Sequence, residues 1–509
     1  MQGGFVKFRL AVIAALALAV IGATPMPAPA APTSAAPTSA RITVPVPTVE
    51  GPVTGGNGKT VVQSSNFDLG LVGYEQAEYF IAGTATSYAN AEPLTADGRW
   101  TVTPDQTAAY KTRIVVYRPI DAKRFNGTVM VEWLNTSGGL DAGANWTMTH
   151  VEQIREGMAW VGVTAQRIGI VGGSNPLIAS QTLQHADPVR YGSLSHPGDE
   201  FAYDIYSQAA QAVRKDAATV LGGLRPQHLV AVGESQSAFW LTAYANALAA
   251  RTRVFDGFFL HGRAGATATF TGPRSSVADK VRIHIRRDLD VPVMVFTTEA
   301  DLVGLSYATA RQPDSNFFRD WEVAGTSHYD TYGLGIGQTD AGTGDADARA
   351  FATMTDTVRS LYGGIISCAL PINAGPHTYV ARAAVAAMNR WVRTGRAPAR
   401  APRLQLDATT PGAFVVDANG NARGGIRTPH VDAPIATLSG VGQSGNSFCY
   451  LFGTTAPFDA AKLASLYPSH AAFVKEWNAA TERAVKLGFL LPADASRIKA
   501  AAAQSAVGN

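Results

Sequence analysis

The sequence predicts an α/β fold in which helices cover both faces of a mostly parallel sheet. Two observations support this class. Short apolar runs typical of buried strands alternate along the chain with longer stretches of helical periodicity. This alternation is typical of parallel sheets, in which a helix connects each strand to the next. In addition, hydrophobic residues make up 46% of the chain and charged residues only 16%, which favours a large buried core.

The predicted elements follow one another in a regular order. Three early segments favour strand, namely 78–89, 99–104 and 111–119. The later predicted strands are 127–135, 159–166, 228–233, 255–262, 291–301 and 319–328, the last two each running into a loop. The predicted helices are 146–158, 201–221, 238–250, 346–362 and 378–394. In a sheet of this kind, we expect functional side chains in the loops beyond the carboxyl ends of the strands.

Changes in composition predict how the chain is organised. We expect the α/β core to span residues 59–400, with long insertions at 167–200 and 262–290. Insertions of this length in a compact domain are usually functional or form a cap over a site. Residues 401–509 are expected to form a C-terminal extension that packs on the core.

The N-terminal segment is typical of a secretory signal peptide. Basic residues precede an apolar run at 10–22, and residues 28–30 fit a small-x-small cleavage site. We therefore expect a signal peptide over 1–30, a secreted or cell-surface location and no integral membrane segment after cleavage; an uncleaved anchor is the alternative. The Pro-, Thr-, Ser- and Ala-rich residues 31–58 are expected to form a flexible leader.

Charge and cysteine content exclude several classes of function. The formal net charge is +3, from 42 basic and 39 acidic residues without a strongly basic run, so no nucleic-acid partner is expected. The chain has two cysteines, Cys368 and Cys449, and no histidine cluster at ligand spacing, so no metal site is predicted. In an exported protein the two cysteines favour a disulfide, with two buried free thiols as the alternative.

The stretch GESQS at 233–237 joins a predicted strand to a predicted helix. A serine hydroxyl is a poor nucleophile alone, but a strand–turn–helix corner exposes it to a base and to backbone N–H groups. Ser235 is therefore the candidate nucleophile, and the N–H of Gln236 is a candidate oxyanion donor. The usual pattern is G-x-S-x-G, and Ser237 replaces its last glycine. The alternative is that this stretch is merely a polar helix start.

The residues after Ser235 offer an acid and then a histidine, in the chain order of hydrolase triads. Asp301 is the preferred acid, because its T-x-x-D spacing follows a strand; Glu299 is the alternative, and either could be a solvated loop carboxylate. His328 is the preferred base, because it follows a strand soon after the acid. His377, which precedes a long helix, is the alternative base.

A second oxyanion donor is expected in the loop after the strand at 127–135. This loop is small and polar, and its glycines allow backbone to approach a ligand. Thr136, Ser137 and Gly138 are the candidates. The alternative is an ordinary turn.

Six stretches of the sequence together carry a resemblance to a known family. They are VEWLNTSGG (131–139), DPVRYGSLSHPGDEFAYDIYSQA (187–209), GESQSAFWLTAYANA (233–247), WEVAGTSH (321–328), NAGPHTYV (373–380) and GGIRTP (424–429). The chain resembles a family of secreted bacterial α/β-hydrolase-domain proteins regarded as esterases. This resemblance implies an α/β-hydrolase fold and a nucleophile at Ser235, but it implies no particular substrate.

The predicted function is therefore that of an exported serine hydrolase, acting through an acyl-enzyme on a small-molecule or polymeric carboxylic ester. No cofactor or metal is expected. One alternative is an acyltransferase that uses the same acyl-enzyme. Another is a catalytically silent hydrolase fold that serves as a cell-surface binding protein.

Overall fold

A nine-stranded sheet organises the computed structural model of the chain, which describes residues 40–173, 181–270 and 282–508. In chain order the strands are β1 Thr48–Glu50, β2 Tyr74–Asn90, β3 Val102–Pro119, β4 Thr128–Trp133, β5 Ala159–Val163, β6 His228–Glu234, β7 Gly257–His261, β8 Val293–Thr298 and β9 Phe318–Val323. Their spatial order is β1-β2-β3-β5-β4-β6-β7-β8-β9. The block from β5 to β9 is parallel, whereas β1, β2 and β3 pair antiparallel at one edge. The predicted α/β fold with a mostly parallel sheet is confirmed.

Helices pack on both faces of this sheet. In the described ranges the α-helices are Ala144–Arg155, Arg167–Val171, Leu183–Ala186, Pro188–Tyr191, Ala202–Lys215, Ala217–Val220, Gln236–Ala247, Ala249–Thr252, Glu299–Val303, Asp345–Ala352, His377–Thr394, Pro429–Asp432, Ala460–Leu466, His470–Lys486 and Pro492–Gln504. Along β4, Val129 and Val131 join one apolar cluster, and Met130 joins the cluster on the opposite face. Because successive side chains point to opposite faces, a strand covered on both sides is mainly apolar, as β4 is apart from Thr128 and Glu132.

Two short hairpins lie outside the main sheet. One pairs β10 Ser360–Leu361 with β11 Ile366–Ser367, and the other pairs β12 Ala436–Ser439 with β13 Thr454–Pro457. None of the helices in the described ranges combines the length and hydropathy that a bilayer crossing requires.

The topology creates a crevice between β4 and β6. From β4 the chain crosses to β5 on one side, and β6, β7, β8 and β9 follow in order on the other side. Ligand sites in open α/β sheets lie at such a switch point, outside the carboxyl ends of the strands. The loop after β4 and the residue after β6, Ser235, both lie there.

Several predicted elements differ from the structure. The segments predicted separately at 99–104 and 111–119 form the single strand β3, since β2 pairs along its whole length and compensates for the poor strand residues between them. The helix predicted over 346–362 ends at Ala352, and β10 begins at Ser360. Several β-branched residues follow Ala352, and these disfavour helix.

Part of the predicted leader is attached to the sheet. Thr48 pairs with Ala82 in the antiparallel β1–β2 ladder, and Val44 is buried. The predicted signal peptide at 1–30 lies outside the described residues. Apart from Ala40, the described residues belong to one compact unit.

Cys368 and Cys449 form a disulfide, as the sequence predicts. The two residues are 81 positions apart. In the chain-entropy model a closure of this length stabilises the fold by roughly 4 kcal/mol. The bond ties the β10–β11 hairpin to the segment that precedes β13.

Candidate active site

Ser235 lies on a strained turn between β6 and the helix Gln236–Ala247. Its backbone angles are φ 57° and ψ −117°, and its N–H donates to the carbonyl of His261 at 2.9 Å. A non-glycine residue in such a conformation costs about 1–3 kcal/mol, and strain of this kind is concentrated at functional sites. The turn brings Gly233 so close to Ser237 that a Cβ on Gly233 would lie 2.7 Å from the Ser237 carbonyl carbon. Glycine is therefore required at 233, and Ser237 is fully buried behind the turn.

Asp301 is held by the first turn of the helix Glu299–Val303, directly after β8. One carboxylate oxygen accepts the N–H of Thr298 at 2.7 Å, while the N–H of Asp301 donates to the Thr298 hydroxyl at 3.3 Å. This reciprocal cap explains the T-x-x-D spacing. The other oxygen of Asp301 lies 2.5 Å from Nδ1 of His328.

His328 lies in the loop that follows β9, and it is almost completely buried. Its N–H donates to the carbonyl of Leu451 at 3.1 Å, so the C-terminal segment helps to hold this loop. Burial alone would lower the pKa of His328, but the carboxylates of Asp301 and Glu234 outweigh burial and raise the pKa to about 9. Nε2 of His328 lies 3.3 Å from Oε1 of Glu234.

Glu299 contacts backbone rather than an imidazole. Its two carboxylate oxygens accept the N–H groups of Gly325 at 2.6 Å and of Gly440 at 2.8 Å. Burial raises the pKa of Glu299 to about 7, although these two hydrogen bonds oppose the rise. The side chain joins the helix of Asp301 to the loop of His328 and to the C-terminal segment.

His377, the alternative base, begins the helix His377–Thr394 and is fully buried. Its Nε2 is 2.6 Å from Nε2 of His261, and its Nδ1 is 3.0 Å from the carbonyl of Ser327. Burial is the main cause that lowers the pKa of His377 to about 4. The ring therefore supports the residue before His328, and its two nitrogens are engaged by His261 and by the carbonyl of Ser327.

Glu234 is a site residue that the sequence reasoning missed. It is buried, and Nδ2 of Asn135 donates to its Oε2 at 3.1 Å and to its carbonyl at 3.0 Å. Burial raises the pKa of Glu234 to about 7, while His328 lowers it. The sequence does contain a signal for this role. Glu234 is a carboxylate at the end of an apolar strand and next to the candidate serine, and a buried carboxylate needs a hydrogen-bonding or charged partner.

The loop after β4 approaches the Ser235 turn from the other side of the crevice. The N–H of Ser137 donates to Oδ1 of Asn135 at 2.8 Å, while Ser137 and Gly138 line the same cavity as Ser235 and Gln236. The N–H of Ser137 is thus already engaged within the loop.

Gln166, also missed by the sequence reasoning, connects the two sides of this crevice. Its Oε1 accepts the hydroxyl of Thr136 at 3.2 Å and Nε2 of Gln236 at 2.7 Å. Thr136 is buried, so its side chain acts within the loop. The bridge fixes the distance between the backbone of the β4 loop and the start of the helix after Ser235.

A cavity of about 960 Å³ contains Ser235, His328 and Glu234. Its walls are mainly apolar, and the larger apolar and aromatic lining residues are Leu140, Ile168, Phe239, Leu305, Tyr329, Leu334, Tyr362, Ile365, Ile366, Phe448, Tyr450, Leu451 and Phe452. Apart from tyrosines, Glu234 and His328 are the ionisable side chains among its described lining residues. Across the described ranges no group of three or more His, Cys, Asp or Glu side chains could hold a metal ion.

A family model described as an alpha/beta hydrolase domain matches residues 49–500 of the chain. The matched span includes the sheet, the turn of Ser235 and the C-terminal segment that contacts His328. A search of curated proteins finds no match.

Several solved esterases are weakly similar to the structure. A thermostable esterase from Pseudomonas putida has 13% identity and a TM-score of 0.27, over 51% of this chain and 75% of that chain. A carboxylesterase from Lactobacillus plantarum has 13% identity and a TM-score of 0.26, over 44% and 78% of the two chains. A fungal esterase from Rhizomucor miehei has 13% identity and a TM-score of 0.25, over 47% and 74%. At these scores the likenesses carry no argument about activity.

Proposed function

The chain belongs to the alpha/beta hydrolase domain family, and we propose that it is a serine hydrolase that cleaves carboxylic esters through an acyl-enzyme. The observation that carries this proposal is the convergence of Ser235, on its strained turn, with the His328–Asp301 pair at one large cavity. Serine on such a turn, with a histidine held by a buried acid, is the arrangement that activates a hydroxyl for acyl transfer.

In the proposed reaction, Oγ of Ser235 attacks the ester carbonyl and its proton passes to Nε2 of His328. Asp301 accepts the Nδ1–H of His328 and stabilises the imidazolium that forms. The carbonyl oxygen becomes an oxyanion, which the N–H of Gln236 at the helix start and a backbone N–H of the loop at Gly138 stabilise. His328 then protonates the leaving alcohol. A water molecule, deprotonated by the same histidine, releases the carboxylic acid and restores Ser235.

The contacts support Asp301 over Glu299 as the acid and His328 over His377 as the base. Asp301 lies 2.5 Å from an imidazole nitrogen, whereas both oxygens of Glu299 accept backbone N–H groups. His377 is engaged by His261 and by the carbonyl of Ser327. We assign Glu299 and His377 to positioning the loop that carries His328.

A covalent serine probe tests the proposal. We expect a fluorophosphonate to label the mature protein at Ser235, and Ser235→Ala to abolish both labelling and ester turnover. Ser237→Ala is the matched control, because its hydroxyl is buried without a hydrogen-bond partner in the described structure and its loss should leave labelling intact. If the folded native protein is not labelled by the probe and does not hydrolyse esters, the alternative of a catalytically silent binding protein would be favoured. Transfer of the acyl group to an added alcohol in preference to water would favour the acyltransferase.

We also propose that the protein is exported. The proposal rests on the signal-like sequence over residues 1–30, and the disulfide between Cys368 and Cys449 is typical of an oxidising compartment. We expect N-terminal sequencing of the mature protein to begin near Ala31. Mature material that still contains the apolar run 10–22 would instead support an anchor.

A further inference from the structure

Four solvent-exposed apolar or aromatic side chains lie at the mouth of the cavity that contains Ser235. They are Tyr362, Ile365, Phe448 and Tyr450, with exposed fractions of 49%, 52%, 40% and 53%, and all four line the cavity. We call them the apolar rim. Single exposed apolar residues are ordinary on protein surfaces, but a contiguous group at the mouth of a cavity marks a binding site.

The apolar rim is built on two segments that are fixed to each other. Tyr362 and Ile365 belong to the β10–β11 hairpin, and Phe448 and Tyr450 flank Cys449, which is bonded to Cys368. Hydrogen bonds add to the disulfide, since the N–H of Ser367 donates to the side-chain Oδ1 of Asn446 at 2.7 Å and the N–H of Asn446 donates to the carbonyl of Ser367 at 3.2 Å. Because the segments are tied by covalent and hydrogen bonds, the exposed side chains belong to an ordered wall.

Buried apolar residues line the same cavity as the rim and Ser235. Beneath the rim, Leu334, Ile366, Leu451 and Phe452 belong to one buried apolar cluster that also lines the cavity. The carbonyl of Leu451 accepts the N–H of His328. The segment that carries Phe448 and Tyr450 therefore also holds His328 in place, through Leu451.

The charges of the described lining residues disfavour an anionic group near the serine. The described lining residues include no lysine or arginine, while the carboxylate of Glu234 lies beside Ser235. A substrate carboxylate or phosphate would lose its hydration there, and the one cation among the described lining side chains, the imidazolium of His328, is already paired with Asp301 and Glu234. The cavity volume of about 960 Å³ is also large for a small ester, since ligand pockets span roughly 300–1,000 Å³.

We propose that the apolar rim and the wall beneath it bind the apolar part of a bulky, uncharged ester, whose carbonyl then reaches Ser235. This inference rests on the proposed esterase function and names its substrate class. Each buried methylene contributes up to about fourfold in kcat/KM, because its transfer from water is favourable by about 0.8 kcal/mol. Successive methylenes should therefore raise kcat/KM until the wall is covered.

The test compares p-nitrophenyl acetate, butyrate and octanoate, each below its aggregation concentration. For the native protein we expect kcat/KM to rise at least tenfold from acetate to octanoate. In the triple variant Ile365→Ser, Phe448→Ser, Tyr450→Ser we expect kcat/KM no longer to rise from acetate to octanoate. Tyr362 is left in place because its hydroxyl donates to the carbonyl of Leu334. Leu71→Ser and Leu487→Ser are matched controls, since both residues are exposed and neither lines the cavity.

A binding measurement separates this inference from the function on which it rests. Calorimetry with intact p-nitrophenyl octanoate and Ser235→Ala does not depend on turnover, and we expect the rim substitutions to weaken that binding at least tenfold. If octanoate binding depends on the rim but the native protein hydrolyses none of the esters, the proposed esterase function is overturned. The proposed binding site at the rim would then still stand. A preference for acetate, or equal losses for all three esters in the rim variant, would overturn the substrate class. So would a succinate half-ester hydrolysed as fast as an uncharged ester of similar length.

Discussion

Replacing His328 by alanine is expected to lower kcat by a factor on the order of 10³ or more, with little loss of folded protein. The imidazole is the group that would remove the proton of Ser235, and without it the serine hydroxyl has no base of suitable pKa. Asp301→Asn should be nearly as damaging, because an amide at 2.5 Å from Nδ1 would favour the wrong tautomer of His328. Steady-state kinetics with a chromogenic ester gives kcat, and circular dichroism checks the fold.

Two matched substitutions make this expectation specific. Glu299→Gln is the same chemical change as Asp301→Asn at a carboxylate two residues away, but Glu299 contacts only the N–H groups of Gly325 and Gly440 in the described structure. His377→Gln removes a ring bonded to His261 and to the carbonyl of Ser327. We expect both substitutions to lower the melting temperature, and we expect their loss of kcat to be much smaller than that of His328→Ala. An active His328→Ala together with an inactive, folded His377→Gln would show that the assignment of the base is wrong.

The sequence predicts well those features that depend on local pattern. The parallel strands are visible because each is an apolar run bounded by turn residues, and the serine turn is visible because Gly233 and Ser235 follow such a run directly. The T-x-x-D spacing is also local, since it caps a single helix turn. These features gave the fold class, which the structure and the family match confirm. The roles of the candidate site residues remain predictions.

Contacts between distant residues could not be predicted in this way. Glu299 and Asp301 both follow the same strand, and only the bond from Gly440, 141 positions away, shows what Glu299 holds. For the same reason the sequence favours His328 as the base but leaves His377 as an alternative. The C-terminal segment contributes Phe448, Tyr450 and Leu451 to the cavity, although its composition indicates only an extension. The sheet and the disulfide bring these segments together, and periodicity along the chain does not predict contacts between segments so far apart in sequence.

The native protein is expected to be an alkaline hydrolase, because His328 must be neutral to accept the serine proton. With a pKa of about 9, His328 is mostly imidazolium in the free protein at pH 7, so kcat/KM should fall about tenfold for each pH unit below that value. Glu234 contributes to this rise, since its Oε1 lies 3.3 Å from Nε2 and its carboxylate ionises near pH 7. Among the described residues, the other ionisable side chains that interact with His328 are Asp301, which pairs with Nδ1, and His261 and His377, whose pKa values burial lowers.

Glu234→Gln should therefore move the acidic limb of the kcat/KM profile to lower pH by about 1 unit or more, the usual effect of an adjacent opposite charge. The variant would be about tenfold faster than the native protein near pH 7 and no faster above pH 9. Because Glu234 and His328 interact closely, the native limb reports the pair rather than either group alone. Glu299→Gln, which removes a carboxylate that does not contact His328, should leave the limb unshifted. If Glu234→Gln is slower by one factor at every pH, then Glu234 orients the imidazole and Asn135 without controlling the proton on Nε2.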